Sequence, residues 1–155
     1  MKERILVSAC LLGLPCRYDG ESRPNDEVIS LLRKYELIPF CPEIYGGLET
    51  PRIPSERVGD RVLMQNGRDV TENYNRGADG ALYLCKTLGI KRAILKERSP
   101  SCGNGKIYDG SFTKTLIDGD GVTAQLLKKE GIDVIGESTI KNVLTFSKTD
   151  IIIKI

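Results

Sequence analysis

Three short apolar runs in this chain each end in a cysteine set among turn-forming residues, and that repeated punctuation constrains the fold more than any other feature. Ile5-Leu6-Val7 runs into Ser8-Ala9-Cys10. Leu37-Ile38-Pro39-Phe40 runs into Cys41-Pro42-Glu43, and Arg92 to Leu95 passes through Lys96-Glu97-Arg98 into Ser99-Pro100-Ser101-Cys102-Gly103. Short apolar runs bounded by Pro, Ser and Gly read as buried strands. In a parallel α/β sheet the carboxyl ends of the strands open on one edge. Three strands finishing in cysteine therefore predict one shared site on that edge.

The intervening sequence supplies helices at the right places. The first strand is expected over Arg4 to Ser8, followed by a turn-rich loop with Gly13, Pro15, Cys16 and Asp19-Gly20. Asn25 is a suitable N-cap for a helix through Tyr35, with Val28, Leu31 and Leu32 as its inward stripe. Leu37 to Phe40 is the second strand, and Glu43 to Glu56 reads as ordered loop because Pro42, Pro51 and Pro54 fix φ while Gly46-Gly47 permits reversal. Arg61 to Val70 predicts a hairpin around Asn66-Gly67. Thr71 is the expected cap of a helix to about Leu88, with Tyr74, Ala78, Ala81, Leu82, Cys85 and Leu88 at helical spacing and Gly89 closing it.

Arg92 to Leu95 is the third strand, and Lys106 to Phe112 an irregular or hairpin excursion. Gly121 to Lys129 is a helix closed by Gly131, Ile132 to Ile135 a fourth strand, and Ser138 the cap of a last helix to Phe146. The tail from Ile151 to Ile155 fits either an edge strand or an extension. Alternation of strands and helices with short links predicts right-handed βαβ units. The expected fold is a single α/β domain over 1–155, a mostly parallel sheet of four to five strands covered by helices, with a small hairpin excursion.

Composition narrows the chemistry. The chain of 155 residues carries a net charge of +2, and its short basic runs do not indicate a nucleic-acid backbone as partner. No apolar segment approaches a membrane span and no signal-peptide core follows the N-terminus, so the expected compartment is the cytoplasm. Five cysteines is an odd count, and in a reducing compartment such residues are structural, metal-bound or catalytic more often than disulfide-paired. There is no histidine. That excludes Ser-His and Cys-His nucleophilic pairs and any imidazole metal ligand. Acid–base work falls to carboxylates, lysines, hydroxyls or thiols, and a metal must be held by sulfur or oxygen.

Cys85 lies on the apolar stripe of a helix, where it reads as a small buried hydrophobe. Cys10, Cys41 and Cys102 sit at strand ends, although their spacing matches neither C-x-x-C nor a ferredoxin run. Cys16 fits a fourth ligand, a redox partner of Cys10 or a packed thiol. Asp118-Gly119-Asp120-Gly121 fails as a calcium loop because Val122 takes a ligand position and Lys129 stands where a bidentate Glu belongs. The glycine-rich start of the helix at Gly121 offers free N–H groups to an anion or, more simply, a plain N-terminal turn.

Several motifs occur together and in order. Ser8-Ala9-Cys10-Leu11-Leu12-Gly13, Cys16-Arg17-Tyr18-Asp19-Gly20, Cys41-Pro42-Glu43, Gly46-Gly47-Leu48, Thr50-Pro51-Arg52, Pro54-Ser55-Glu56, Ser99-Pro100-Ser101-Cys102-Gly103 and Gly121-Val122-Thr123-Ala124 cover the chain to about Gly136. In these the chain resembles the small bacterial family, long uncharacterised, that includes the thiouracil desulfidases. The resemblance implies a [4Fe–4S] cluster held by Cys10, Cys41 and Cys102, with one iron open to the sulfur of a small thiolated substrate such as a thiobase. It also implies Glu43 and Ser101 as acid–base or substrate-orienting groups.

Thiolates suit such a cluster, and with histidine absent Glu43 is the natural base beside its ligand. Arg17, Arg52, Lys96 and Arg98 are candidates for holding a base carbonyl or a phosphate, with Arg52 and Lys96 foremost. The plainer roles are a Glu43 salt bridge to Arg52 or Lys96, and a Ser101 bonded to its own loop. Two other functions fit the residues. One is a non-catalytic module with a closed four-thiolate metal using Cys16, the other a thiol redox protein using Cys10 and Cys16. Sequence does not fix the oligomeric state.

Overall fold

The computed structural model describes residues 1–140. In chain order its elements are β1 (Arg4–Ser8), α1 (Asp26–Ser30), β2 (Glu36–Phe40), α2 (Pro42–Tyr45), β3 (Ser55–Val58), β4 (Arg61–Met64), α3 (Thr71–Leu88), β5 (Arg92–Leu95), β6 (Lys106–Tyr108), β7 (Leu116–Asp118), α4 (Val122–Lys129) and β8 (Asp133–Gly136). Four strands form a wholly parallel sheet in the order β2-β1-β5-β8. Two antiparallel hairpins, β3–β4 and β6–β7, stand outside it. The chain winds from β1 to β2 in one direction and then adds β5 and β8 in the other. The crevice at the carboxyl ends of β1 and β5 is thus a topological switch point, where parallel sheets place their ligands.

The strands are apolar because both faces of the sheet are covered. Ile5, Val7 and Ile94 pack with Val28, Leu31 and Tyr35, whereas Leu6, Ala93 and Leu95 pack with Ala81, Cys85 and Leu127. Alternate residues of each strand serve opposite layers, as a period of two requires. Among the described residues no helix is long and apolar enough to cross a membrane.

Helix α3 also has a notched face. A Cβ added at Gly77 would stand 2.0 Å from the Pro42 carbonyl oxygen, and one at Gly80 would stand 2.4 Å from the Tyr45 ring. Any larger residue at Gly77 would lift α2 away. Two helices approaching this closely set the position of the Cys41-Pro42-Glu43 turn, which begins α2 with Pro42 in its first turn.

Several expectations need correction. The first helix is a single α-turn from Asp26 that tightens to a 3₁₀ turn over Leu31–Arg33, so Leu32 faces solvent at 49% exposure instead of joining the stripe. Asn25 does cap it, accepting from the Val28 amide at 3.0 Å. Part of the expected Glu43 to Glu56 loop is α2 and the start of β3. β4 finds its main partner in β3, and the limb after Asn66-Gly67 contributes one bridge, Leu63 to Asp69. Thr71 is the first residue of α3 and not its cap; its hydroxyl donates to Asp69 at 2.6 Å and accepts from the Val62 amide at 2.9 Å. Ser138 lies within a 3₁₀ turn, Glu137–Thr139, and the expected helix and tail beyond 140 lie outside the described residues.

Candidate active site

The strand-end loops meet over a cavity of about 480 Å³ lined by Cys10, Cys16, Cys41 and Cys102 together with Glu43, Ser101, Arg52 and Lys96. Every residue proposed from sequence for ligation or catalysis thus faces one space. Cys85 is buried in the core beneath α3, away from it. Ser8, at the end of β1, accepts the Lys96 amide at 2.8 Å and couples the first and third strand ends directly.

The Ser99–Gly103 loop is rigid for definable reasons. Ser99 Oγ accepts the amides of Ser101 and Cys102, each at 3.1 Å, and the Gly103 amide donates to the Ser99 carbonyl at 2.8 Å. The amides of Val122, Thr123 and Ala124 at the start of α4 donate to the carbonyls of Pro100 and Ser101 at 2.9, 2.8 and 3.2 Å. Those N–H groups are consumed inside the protein, so the helix start is a clamp on the cysteine loop, and the anion-binding alternative falls. The clamp requires glycine. A Cβ at Gly121 would lie 2.4 Å from the Ser101 carbonyl carbon and 2.7 Å from the Cys102 nitrogen.

Glu43 is held from three sides. Its Oε1 accepts from Arg52 Nε at 3.1 Å and from the Tyr74 hydroxyl at 2.9 Å, leaving Oε2 to accept from Ser101 Oγ at 2.9 Å. Ser101 Oγ also lies 3.5 Å from Cys102 Sγ. The loop-bonding role considered for Ser101 thus belongs to Ser99, and Ser101 joins a carboxylate to a thiol. Burial foremost, then the Glu43 charge, pushes the Tyr74 hydroxyl well above its ordinary pKa, so it remains a phenol and donates.

Arg52 departs from a simple substrate-holding role. Its side chain is 3% exposed, and besides Glu43 it donates to the Glu49 carbonyl at 3.1 Å, Thr50 Oγ1 at 3.0 Å and the Cys16 carbonyl at 2.9 Å. A guanidinium so committed fixes Glu43 and the Cys16 loop. Lys96 lines the cavity while pairing with Glu137 at 2.8 Å.

The thiols are mutually perturbed. Contact with Cys10, offset by Cys41 and reinforced by burial, pushes Cys16 up to about 11, and burial pushes Cys102 up to about 12. Cys41 is raised far above the thiol range by contact with Cys16 and by burial. Without a bound cation these groups are protonated at neutral pH, and a bound metal centre reverses that balance.

Among the described residues no three His, Cys, Asp or Glu side chains converge closely enough to hold a single ion. Tetrahedral zinc would need thiolates about 3.8 Å apart, from Zn–S bonds of about 2.3 Å. A cluster with its own sulfides spreads its protein thiolates further, and thiols around an open cavity suit that donor set.

Sequence reasoning overlooked Tyr74, Tyr108, Phe112 and Lys114, which also line the cavity. The signal for Tyr74 was present, as the one hydroxyl-bearing aromatic on the apolar stripe of α3. The others come from a loop whose path no local pattern announces.

In overall structure the chain is similar to the [4Fe-4S]-dependent thiouracil desulfidase TudS (DUF523Vcz), with a TM-score of 0.88 and 47% identity, covering 92% of this chain and 96% of that one. It is 41% identical over 150 residues to the uncharacterised protein YbbK of Bacillus subtilis (strain 168), spanning 90% of this chain and 99% of YbbK. The family model for 2-thiouracil desulfurase matches residues 5–139, from the first strand to the last described turn, and the chain belongs to that family.

Proposed function

We propose that this chain is an iron–sulfur desulfidase that replaces the sulfur of a small thiobase with oxygen from water, and that Cys10, Cys41 and Cys102 hold its [4Fe–4S] cluster. The observation that carries the reading is the Ser101–Glu43 hydrogen bond of 2.9 Å set beside Cys102 in a cavity lined by three strand-end thiols. Family membership and the similarity to a [4Fe-4S]-dependent thiouracil desulfidase support it. When bound, a cluster with three protein ligands supplies an open, Lewis-acidic iron for a C=S sulfur.

The residues supply the rest. Arg52 and Tyr74 occupy Glu43 Oε1, so Oε2 is the oxygen that exchanges a proton with Ser101. Glu43 takes a proton from the attacking water through Ser101 and returns it to the nitrogen of the departing ring. C=S becomes C=O, sulfide leaves, and no net electron is transferred.

A specific observation extends the substrate range. Arg98 and Lys114 line the cavity, and among the described residues neither has an ion-pair partner, whereas Arg52 and Lys96 are paired. Unpaired cations at a cavity wall suit a phosphate, so a thionucleotide is a second substrate class to assay beside the free base.

The test is anaerobic reconstitution with iron and sulfide determination, electron paramagnetic resonance, and conversion of 2-thiouracil to uracil. The reading expects a near-stoichiometric cluster, lost in Cys10→Ala, Cys41→Ala and Cys102→Ala and kept in Cys85→Ala, with Ser101→Ala and Glu43→Gln loaded but slow. Protein that takes up only zinc, with Cys16 required, would overturn it.

A further inference from the structure

Among the described residues three non-glycine positions hold a positive φ: Arg98 at 66°, Phe112 at 58° and Lys114 at 60°. All three line the cavity. Left-handed backbone is unfavourable for any residue with a Cβ, and it persists where surrounding structure over-determines it. Here the surroundings are visible. Glu56, buried at the start of the β3–β4 hairpin, accepts the amides of Gly110 at 2.9 Å and Phe112 at 3.1 Å on a single oxygen. Gly110 lies so close to Val58 that an added Cβ would stand 2.4 Å from its methyl. The Asp109 amide donates to the Thr115 carbonyl at 2.9 Å and closes the loop between β6 and β7.

This construction does not serve the core. Phe112 belongs to none of the three apolar clusters, and Tyr108 at the base of the same loop does not either. A rigid loop that spends two left-handed residues and a buried carboxylate to present a half-buried phenyl ring to a cavity points to a ligand with a flat face. We infer that Phe112 is the specificity-determining residue of this site, the platform on which a planar, conjugated thiobase ring stacks, and that Glu56 is the positioning residue that holds it there. The inference rests on the desulfidase reading. Stacking of one base on an aromatic side chain is worth about 5- to 150-fold in binding, and a saturated, puckered ring forfeits it.

The experiment compares 2-thiouracil with 5,6-dihydro-2-thiouracil on the reconstituted iron–sulfur protein. Phe112→Ala is expected to raise KM for 2-thiouracil by about 10- to 100-fold, with kcat within about threefold, while KM for the dihydro compound moves by less than about threefold. Phe112→Leu keeps an apolar side chain without the aromatic face, should follow Phe112→Ala, and decides the matter if the alanine variant does not fold. Glu56→Ala should shift KM the same way at unchanged iron content, and Glu56→Gln, which keeps an acceptor oxygen, should restore it. KM for 2-thiouracil within twofold of wild type in both Phe112 variants, or an equal rise for both substrates, would overturn the role of Phe112 alone. A loaded wild type that turns over neither compound would instead overturn the desulfidase reading and this inference with it.

Discussion

Replacing Gly121 with alanine isolates the clamp that α4 exerts on the Ser101–Cys102 loop. Gly121 has φ −64° and ψ 162°, a conformation that alanine adopts freely, so backbone strain is not the issue. What opposes the new methyl is backbone: the Ser101 carbonyl carbon at 2.4 Å, its oxygen at 2.5 Å and the Cys102 nitrogen at 2.7 Å. To reach ordinary contact the loop must retreat by about 1 Å, and dense packing gives it nowhere to go without cost. Overpacking of this kind costs about 1–3 kcal/mol. The retreat also stretches four hydrogen bonds, those from the Gly121, Val122, Thr123 and Ala124 amides. The expected loss is therefore about 2–3 kcal/mol, read by urea denaturation of the cluster-free protein. A 1 Å displacement at Ser101 further predicts about a 100-fold loss in kcat. Gly119→Ala is the control. Its methyl would meet only the Ile107 side chain at 3.2 Å, which can swing aside, so the cost is about 0.5 kcal/mol or less. A Gly121→Ala protein within 0.5 kcal/mol of wild type, with full iron content, would show that α4 does not set the cysteine loop.

Arg52→Ala leaves Glu43 buried without its cation and is expected to cost about 3 kcal/mol or more in denaturant unfolding, while Arg52→Lys recovers the charge but not the reach to Glu49, Thr50 and Cys16. Tyr74→Phe removes one donor from Glu43 and should cost about 1–2 kcal/mol and lower kcat while iron content stays at the wild-type level. Asp69 should titrate at about 2, held there by Thr71 first and Arg61 second. A depressed carboxylate stabilises the fold above its unfolded pKa and loses that contribution as pH falls toward 2. Carbon NMR of Thr71→Val should show Asp69 moving back up toward the ordinary aspartate range.

The sheet was legible because its strands are short apolar runs with sharp ends. β1 and β5 fall where the pattern puts them, and the cavity forms where strand-end cysteines in a parallel sheet must meet. What escaped was set by tertiary contact. Nothing near Leu32 says that α1 tightens after one turn and turns that residue outward. The partner of β4 is chosen by the Gly59 turn to β3, at φ 58°, and not by the stronger Asn66-Gly67 signal, because β3 lets Val62 and Met64 face the cluster around Tyr74. Arg52 reads as a cation available to substrate, and only the fold shows its donors spent on three carbonyl or hydroxyl oxygens and Glu43. The Phe112 loop is fixed by Glu56, more than fifty residues earlier, a coupling that local pattern does not carry.

Cys16 decides between the two metal chemistries that the residues allow. It contacts Cys10 and Cys41, so proximity alone admits it as a fourth ligand. Its backbone tells otherwise: the Cys16 carbonyl accepts Arg52 Nη2 at 2.9 Å, and that bond, with Arg52 to Glu43 behind it, explains why the residue stands here whatever its side chain does. A fourth thiolate would close the iron and leave a C=S sulfur nothing to bind. Cys16→Ser keeps the backbone bond and a small polar side chain while removing the sulfur. It is expected to load iron and sulfide to the wild-type level and to retain kcat within about threefold, whereas each of Cys10→Ser, Cys41→Ser and Cys102→Ser loses the cluster. If Cys16→Ser instead loses the cluster while one of the other three keeps it, that cysteine is the spectator and the open coordination position belongs elsewhere in the site. The Ser101–Glu43 pair is placed beside Cys102, so the chemistry as drawn requires Cys102 to be among the ligands and Cys16 not to be.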